Sequence, residues 1–319
     1  MTHHPDRREF LRTLTTAALT ATTAGLALSR QSFSAQKKSL LVFTKSSGFE
    51  HEVVKRKDGK LSIAETVITD LGEKNGFDVN CSKDGRIFDS KDFQAHQAVF
   101  FFTTGDLTQS GTDKNPPMSP AGKQALLSSI EQGRGFVGCH AASDTFHTPP
   151  DPSDLSNRYI AHGAQSDPYL RMLGGEFIVH ARDPRLQTAD IIIHDPSFPG
   201  LAGVQSPVSF NEEWYSLKDF ATDMHVIATV NTKMLKNACY ERSPYPVVWA
   251  RMNGKGRVFF TALGDRPENW QNPFHVNLLA GGIRWSLGEA KADLSQNLLA
   301  AAPGYADIPP KFPPAANAK

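Results

Sequence analysis

Two hydrophobic periods alternate along the chain. Short continuous apolar runs, Leu40-Leu41-Val42-Phe43, Ala98-Val99-Phe100-Phe101-Phe102 and Gly135-Phe136-Val137-Gly138-Cys139, read as strands buried on both faces. Between the first two, Ile63, Val67, Ile68 and Leu71 recur at helical spacing and stop at Asn75-Gly76, a C-terminal glycine signal. Phe77 to Cys81 makes a further short strand, and a helix over 119–132 opens with Ser119 followed by Pro120. Strand, helix, strand, strand, helix, strand with short connections predicts an α/β fold with a mostly parallel central sheet. The 20 phenylalanines, several in runs, fit strands covered on both faces.

After Asp144 the pattern changes. Thr148 to Asp154 is rich in Pro and Asp and reads as a surface loop. A helix ends at Gly174-Gly175 and leads into a strand that carries His180. Ala189 to Ile193, ended by His194, then 226–230, 246–251 and 257–263 read as strands, the last two joined by the hairpin turn Asn253-Gly254-Lys255-Gly256. A final helix over 273–287 stops at Gly288. The segment 291–319, Ala- and Pro-rich from Ala300, reads as a loosely ordered tail, leaving 36–290 as one α/β domain.

The N-terminus carries Arg7-Arg8 before Phe10-Leu11 and then a weak apolar segment rich in Ala and Thr, from Thr13 to Leu28. This is the pattern of a twin-arginine export signal over residues 1–35, removed in the mature protein. It predicts a periplasmic or secreted protein with the export machinery as a transient partner and no stable membrane span after processing. A formal charge of +1 gives no basic surplus of the kind that marks nucleic-acid binding. Cys81, Cys139 and Cys239 are too few and too widely spaced for a disulfide framework or a thiolate metal site. No G-x-G-x-x-G, P-loop or H-E-x-x-H occurs, so no nucleotide cofactor is expected.

Candidate chemistry gathers where strands stop. In open α/β sheets ligands bind at the C-terminal ends of parallel strands, and His51, His140, His180 and His194 each follow a predicted strand. Imidazoles brought to one edge can ligate a divalent metal or move protons near neutrality. Gly138-x-His140-x-Ala142 has the spacing of a nucleophile elbow, with an imidazole where an acyl-enzyme nucleophile would stand. Cys139, one place earlier, is expected on the opposite face as a buried structural thiol. Asp144 could orient an imidazole, ligate a metal or cap a helix. Glu212 and Glu213 beside Trp214-Tyr215 suggest a sugar site, a core Trp being the alternative; Asp265 and Glu268 lie in a loop after the last strand.

Five ordered motifs carry a resemblance. They are Gly48-Phe49-x-His51, the stretch Gly135 to Asp144, Gly174-Gly175-x-Phe177-x-x-His180, Glu213-Trp214-Tyr215, and Gly254-x-Gly256 through Gly264 with the closing Gly281-Gly282-Ile283-Arg284-Trp285. Together they resemble the ThuA-like, or trehalose-utilisation, family over about Ser39 to Gly288. The resemblance implies a flavodoxin-like, class I glutamine amidotransferase-like three-layer fold lacking the amidotransferase Cys at the elbow. It also implies a role in carbohydrate catabolism, on glycosides or 3-keto-glycosides of the trehalose type. On that reading His140, Asp144 and His51 are the catalytic groups, and Phe49, Glu213, Trp214 and Asp265 contact the sugar. A divalent metal, where one is used, sits on His51, His140 and His180. Hydrolase, lyase and non-catalytic sugar binding all stay open. One departure is visible: many relatives carry His after Ala262-Leu263-Gly264, where this chain has Asp265.

Overall fold

The computed structural model describes Met1, residues 37–148 and residues 155–311. The twin-arginine segment and the Pro/Asp loop after Thr148 lie outside the described residues. Eleven strands and five α-helices are found among them: β1 (Ser39–Phe43), α1 (Ile63–Asn75), β2 (Asp78–Ser82), β3 (Ala98–Phe101), α2 (Pro120–Glu131), β4 (Gly135–Cys139), α3 (Pro168–Leu173), β5 (Glu176–Val179), β6 (Gln187–Ile193), β7 (Val208–Glu212), β8 (Ser216–Lys218), β9 (His225–Val230), β10 (Tyr245–Asn253), β11 (Gly256–Thr261), α4 (Pro273–Ser286) and α5 (Leu298–Ala301).

Nine strands form one sheet in the order β2-β1-β3-β4-β11-β10-β9-β6-β7, and β5 pairs with β8 in a separate two-stranded sheet. The pairings from β2 through β11 are parallel. From β10 onward they are antiparallel. The parallel core is thus as expected, and the hairpin at Asn253–Gly256 is the point where direction reverses. The sequence reading did not separate the antiparallel half or find β7 and β8, which lack the continuous apolar runs of the parallel strands.

Local signals explain the elements that position the site. Ser62 and Glu65 cap α1 reciprocally: the Ser62 hydroxyl accepts from the Glu65 amide at 3.3 Å and the Glu65 carboxylate accepts from the Ser62 amide at 2.9 Å. Gly76, at φ 81°, ends the helix in the left-handed conformation. β1, β3 and β4 are apolar and almost wholly buried, as strands covered on both faces must be. Helix α4 is pressed from two sides: a Cβ on Gly282 would stand 2.4 Å from the Phe259 ring of β11 and one on Gly281 1.7 Å from the Pro199 carbonyl oxygen, which accounts for the paired glycines in this helix.

The C-terminal segment differs from the expected loose tail. Leu298 and Ala302 are buried in the core. Asn297 accepts from the Val226 amide at 2.6 Å and donates to the Val226 carbonyl at 3.0 Å. Its side-chain amide thereby substitutes for a neighbouring strand, a signal that composition does not carry. Residues 312–319 lie outside the described residues. Among the described residues no helix is long and apolar enough to cross a membrane.

Candidate functional site

The site begins at the break after β4. His140 has φ 44°, a left-handed conformation uncommon for a residue with a Cβ, and opens a single 3-10 turn over His140–Asp144. The residue two positions before it must be small: a Cβ on Gly138 would meet Leu173 at 2.8 Å and Phe260 at 2.9 Å. This is the backbone of an elbow, with its side chain held at the strand end. The imidazole is fully buried, and its Nδ1 lies 2.8 Å from the Ala262 carbonyl. A carbonyl only accepts, so Nδ1 carries the proton and Nε2 faces the cavity floor. Cys139 points the other way, as its strand phase requires, and its thiol donates to the Leu263 carbonyl at 3.3 Å. Burial, with the Glu212 charge adding to it, pushes that thiol's pKa well up, so Cys139 is not a thiolate nucleophile.

Three further loops converge on this imidazole. His51, after β1, lies with its ring centroid 5.2 Å from that of His140. Glu213, after β7, places Oε2 3.5 Å from His140 Nε2, and Asp265, after β11, places Oδ1 3.9 Å from His51 Nε2. Arg185 Nη1 joins the two carboxylates from outside, at 2.9 Å from Glu213 Oε1 and 2.8 Å from Asp265 Oδ2. The Tyr215 hydroxyl is 3.2 Å from His51 Nε2. Sequence reasoning gave Arg185 no role and placed Tyr215 only as one of the two aromatics beside Glu213, with no contact to His51. The period-2 rule offers a signal for Tyr215, since it stands two residues from Glu213 and faces the same way. Arg185 sits in an irregular loop between β5 and β6, without any such cue.

Burial and charge divide these groups sharply. Burial, reinforced by the nearby His140 charge, lowers the His51 pKa to about 3, leaving it neutral. For His140 burial works against the charged form. The Glu213 carboxylate and the fields of Glu212 and Asp265 outweigh it, and the pKa rises to about 9. Glu213 is likewise opposed by burial but held ionised by His140, His180 and Arg185, with a pKa of about 2. Its neighbour Glu212 is fully buried and rises to about 7 because burial dominates. Glu212 accepts from the amides of Glu213 at 2.9 Å and Gly264 at 2.6 Å, and from Asn269 at 3.0 Å.

A cavity of about 620 Å³ opens above this floor, lined among others by Phe49, His51, Asp144, Phe177, His180 and Arg185. Phe49 is exposed and sets its ring edge-on to His51 at 5.0 Å. His180 lines the wall, with Nδ1 2.9 Å from the Ala181 carbonyl and 3.4 Å from Glu213 Oε1. Asp144 accepts from His147, which reaches Glu176 at 3.1 Å on its other side, and Arg158 stands 3.4 Å away. Burial opposes ionisation of Asp144, but His147 and Arg158 keep its pKa low.

Three expected placements differ. Trp214 is buried, donates from its indole to the Gln187 carbonyl at 2.8 Å and does not line the cavity; alternation along the segment turns it away from Glu213. The donor atoms that gather within 4.8 Å of one another come from His51, His140, Glu213 and Asp265, and His180 stands outside that group. His194 is remote from the site, its Nε2 2.9 Å from the Thr229 hydroxyl.

The sequence model of one family, described as trehalose utilisation (ThuA), matches residues 39–286. The chain belongs to the ThuA family. Two solved ThuA-like structures share its fold. One, from Bacteroides uniformis ATCC 8492, is 17% identical with a TM-score of 0.57, covering 82% of this chain and 96% of the other. The second, from Parabacteroides merdae ATCC 43184, is 19% identical with a TM-score of 0.53, covering 85% and 98%. No curated protein matches the chain. ThuA membership points to carbohydrate utilisation, and the large mixed sheet with its parallel core is the ThuA-like α/β architecture.

Proposed function

We propose that this ThuA-family chain is a carbohydrate-processing enzyme acting on glycosides or 3-keto-glycosides of the trehalose type. The observation that carries the reading is the cavity itself: His51 lines its floor with the buried His140 ring packed behind it, centroids 5.2 Å apart, under a wall that joins aromatic rings to charged side chains. Sugar rings pack their C–H faces on aromatic rings such as Phe49, while hydroxyls donate to carboxylates and accept from guanidinium groups. In a 3-keto-glycoside the C2 hydrogen is acidified by the adjacent carbonyl, and the glycosidic oxygen on C1 is one carbon further. Polarising the carbonyl at the His51–His140 floor and removing the C2 proton therefore expels the aglycone, which takes up a proton as it leaves. His180 suits the role of proton acceptor, because its Nδ1 is committed to Ala181 and its Nε2 is left with a lone pair. Asp144, ionised at the same wall, orients hydroxyls. Water addition to the eliminated sugar makes the net reaction a hydrolysis.

The test is aglycone release from trehalose, 3-keto-trehalose and a 3-keto-glucoside. The keto substrates should turn over, and His140→Asn, whose side chain tolerates left-handed backbone, should cut kcat by about 10²–10³-fold. Tight sugar binding without release by the wild type, unchanged in His140→Asn, would turn the assignment to a non-catalytic sugar-binding protein.

A further inference from the structure

We propose that His51, His140, Glu213 and Asp265 form a binding site for one divalent transition-metal cation, with Arg185 as the group that positions its two carboxylates. The inference deepens the proposed function, on which it rests, by naming what polarises the sugar oxygen. The four side chains come from four separate loops, yet their ligand atoms lie within 4.8 Å of one another and all four residues are buried. Two imidazoles and two carboxylates would cancel a dication's charge. A buried set of this kind costs free energy unless something satisfies it.

An unpartnered nitrogen supplies the second observation. His140 Nε2 is buried without a hydrogen-bond partner, 3.5 Å from Glu213 Oε2, and the His51 nitrogen turned to Asp265 is Nε2, which also lies 3.2 Å from the Tyr215 hydroxyl. The His140 Nδ1 proton is fixed on the Ala262 carbonyl at 2.8 Å, the arrangement by which a backbone acceptor orients a metal-binding imidazole. Arg185 does the same for the carboxylates. It holds the outer oxygens, Glu213 Oε1 and Asp265 Oδ2, which turns the inner ones inward: Glu213 Oε2 toward His140 at 3.5 Å and Asp265 Oδ1 toward His51 at 3.9 Å. A small contraction brings such atoms to the spacing of ligands around one ion. Imidazole with carboxylate suits Zn²⁺ or Mn²⁺ and disfavours Mg²⁺ and Ca²⁺, which take oxygen ligands. The cavity lies over the same group, so a coordination position stays open to substrate, as catalytic metal sites require.

The experiment uses the full chain, purified without an affinity tag, stripped with a chelator and titrated with Zn²⁺ or Mn²⁺ by calorimetry, with bound metal counted by elemental analysis. One ion per chain at micromolar or lower concentration is expected, with a metal-dependent rise in Tm. His140→Asn should weaken binding roughly 100-fold or more, and Arg185→Met, a change at a half-exposed side chain that leaves the fold alone, by about 10–100-fold. No retained ion and no binding heat from the wild type, or unchanged affinity in both variants, overturns the proposal. Keto-glycoside turnover that survives complete chelation overturns the metal site while leaving the proposed function standing. Metal binding without turnover of any sugar does the reverse.

Discussion

Two buried polar clusters hang from the end of β1, and they are built on opposite plans. In one, Lys45 is fully buried and donates to the Asn115 carbonyl at 2.8 Å, with Asp113 3.7 Å away. Lys83 donates to the Thr44 carbonyl at 2.7 Å and to Glu50 at 3.2 Å, and lies 3.6 Å from the same Asp113. Asp113 in turn accepts from the amides of Ser46 and Asn115, each at 2.9 Å. Every charged group there finds its partner inside the protein. Six residues along from Lys45, His51 joins His140 in a cluster where one nitrogen of each ring, His51 Nδ1 and His140 Nε2, is buried without a hydrogen-bond partner. Closed polar networks hold a fold together. A buried cluster with open valences is arranged for something that arrives from outside.

The largest effect that tests this contrast is at Asp113. Asp113→Ala leaves the buried Lys45 ammonium without a carboxylate and Lys83 with Glu50 alone, and should cost about 3–5 kcal/mol in urea unfolding, because an uncompensated buried charge remains. A loss below about 1 kcal/mol would remove the distinction between the clusters. His140→Asn is the counterpart: it should abolish most turnover while shifting stability far less.

A smaller effect concerns the link from the cavity wall into the protein. Burial opposes charge on His147, but Asp144 and Glu176 outweigh it, with Arg158 acting against them, and the pKa is raised. A raised imidazole pKa contributes stability that is fully present below the unfolded value of about 6.5 and is lost as pH climbs through the folded value. Asp144 and Glu176 have lowered pKa values and stay ionised throughout. The stability gap between wild type and His147→Gln should therefore be about 1.5–3 kcal/mol near pH 6 and smaller in alkaline solution. A gap independent of pH would show that His147 is merely a neutral filler. Smallest of all, Trp214→Phe should cost about 1 kcal/mol for the lost bond to Gln187 and leave sugar affinity unchanged. Weakened binding would return Trp214 to the cavity wall.

The parallel half of the sheet was legible in the sequence because its signals are local. Apolar runs, the Ser62–Glu65 capping box and Ser119-Pro120 each sit within a few residues of what they specify, and the break at His140 announced itself as a strand stop beside small residues. His51, His140 and Asp265 were named from such stops, Glu213 from the aromatic pair beside it, and the four do meet. What stayed hidden depends on long-range pairing. Arg185 acquires its place only when β6 and β11 are assembled, Asn297 only when it meets β9, and His147 only when Glu176 packs behind it. Trp214 was misplaced for a simpler reason: a carboxylate next to an aromatic looks like a sugar site until the strand phase is followed residue by residue.

Glu212 has a consequence of a different kind. β7 and β11 are not neighbours in the sheet, yet the Glu212 side chain grips the Gly264 amide, and each of these residues immediately precedes a site carboxylate. One side chain thus acts as a ruler between residues 213 and 265. Shortening it by a single methylene, as in Glu212→Asp, would re-space the two charges at the cavity floor while leaving every residue that touches the cavity as it is.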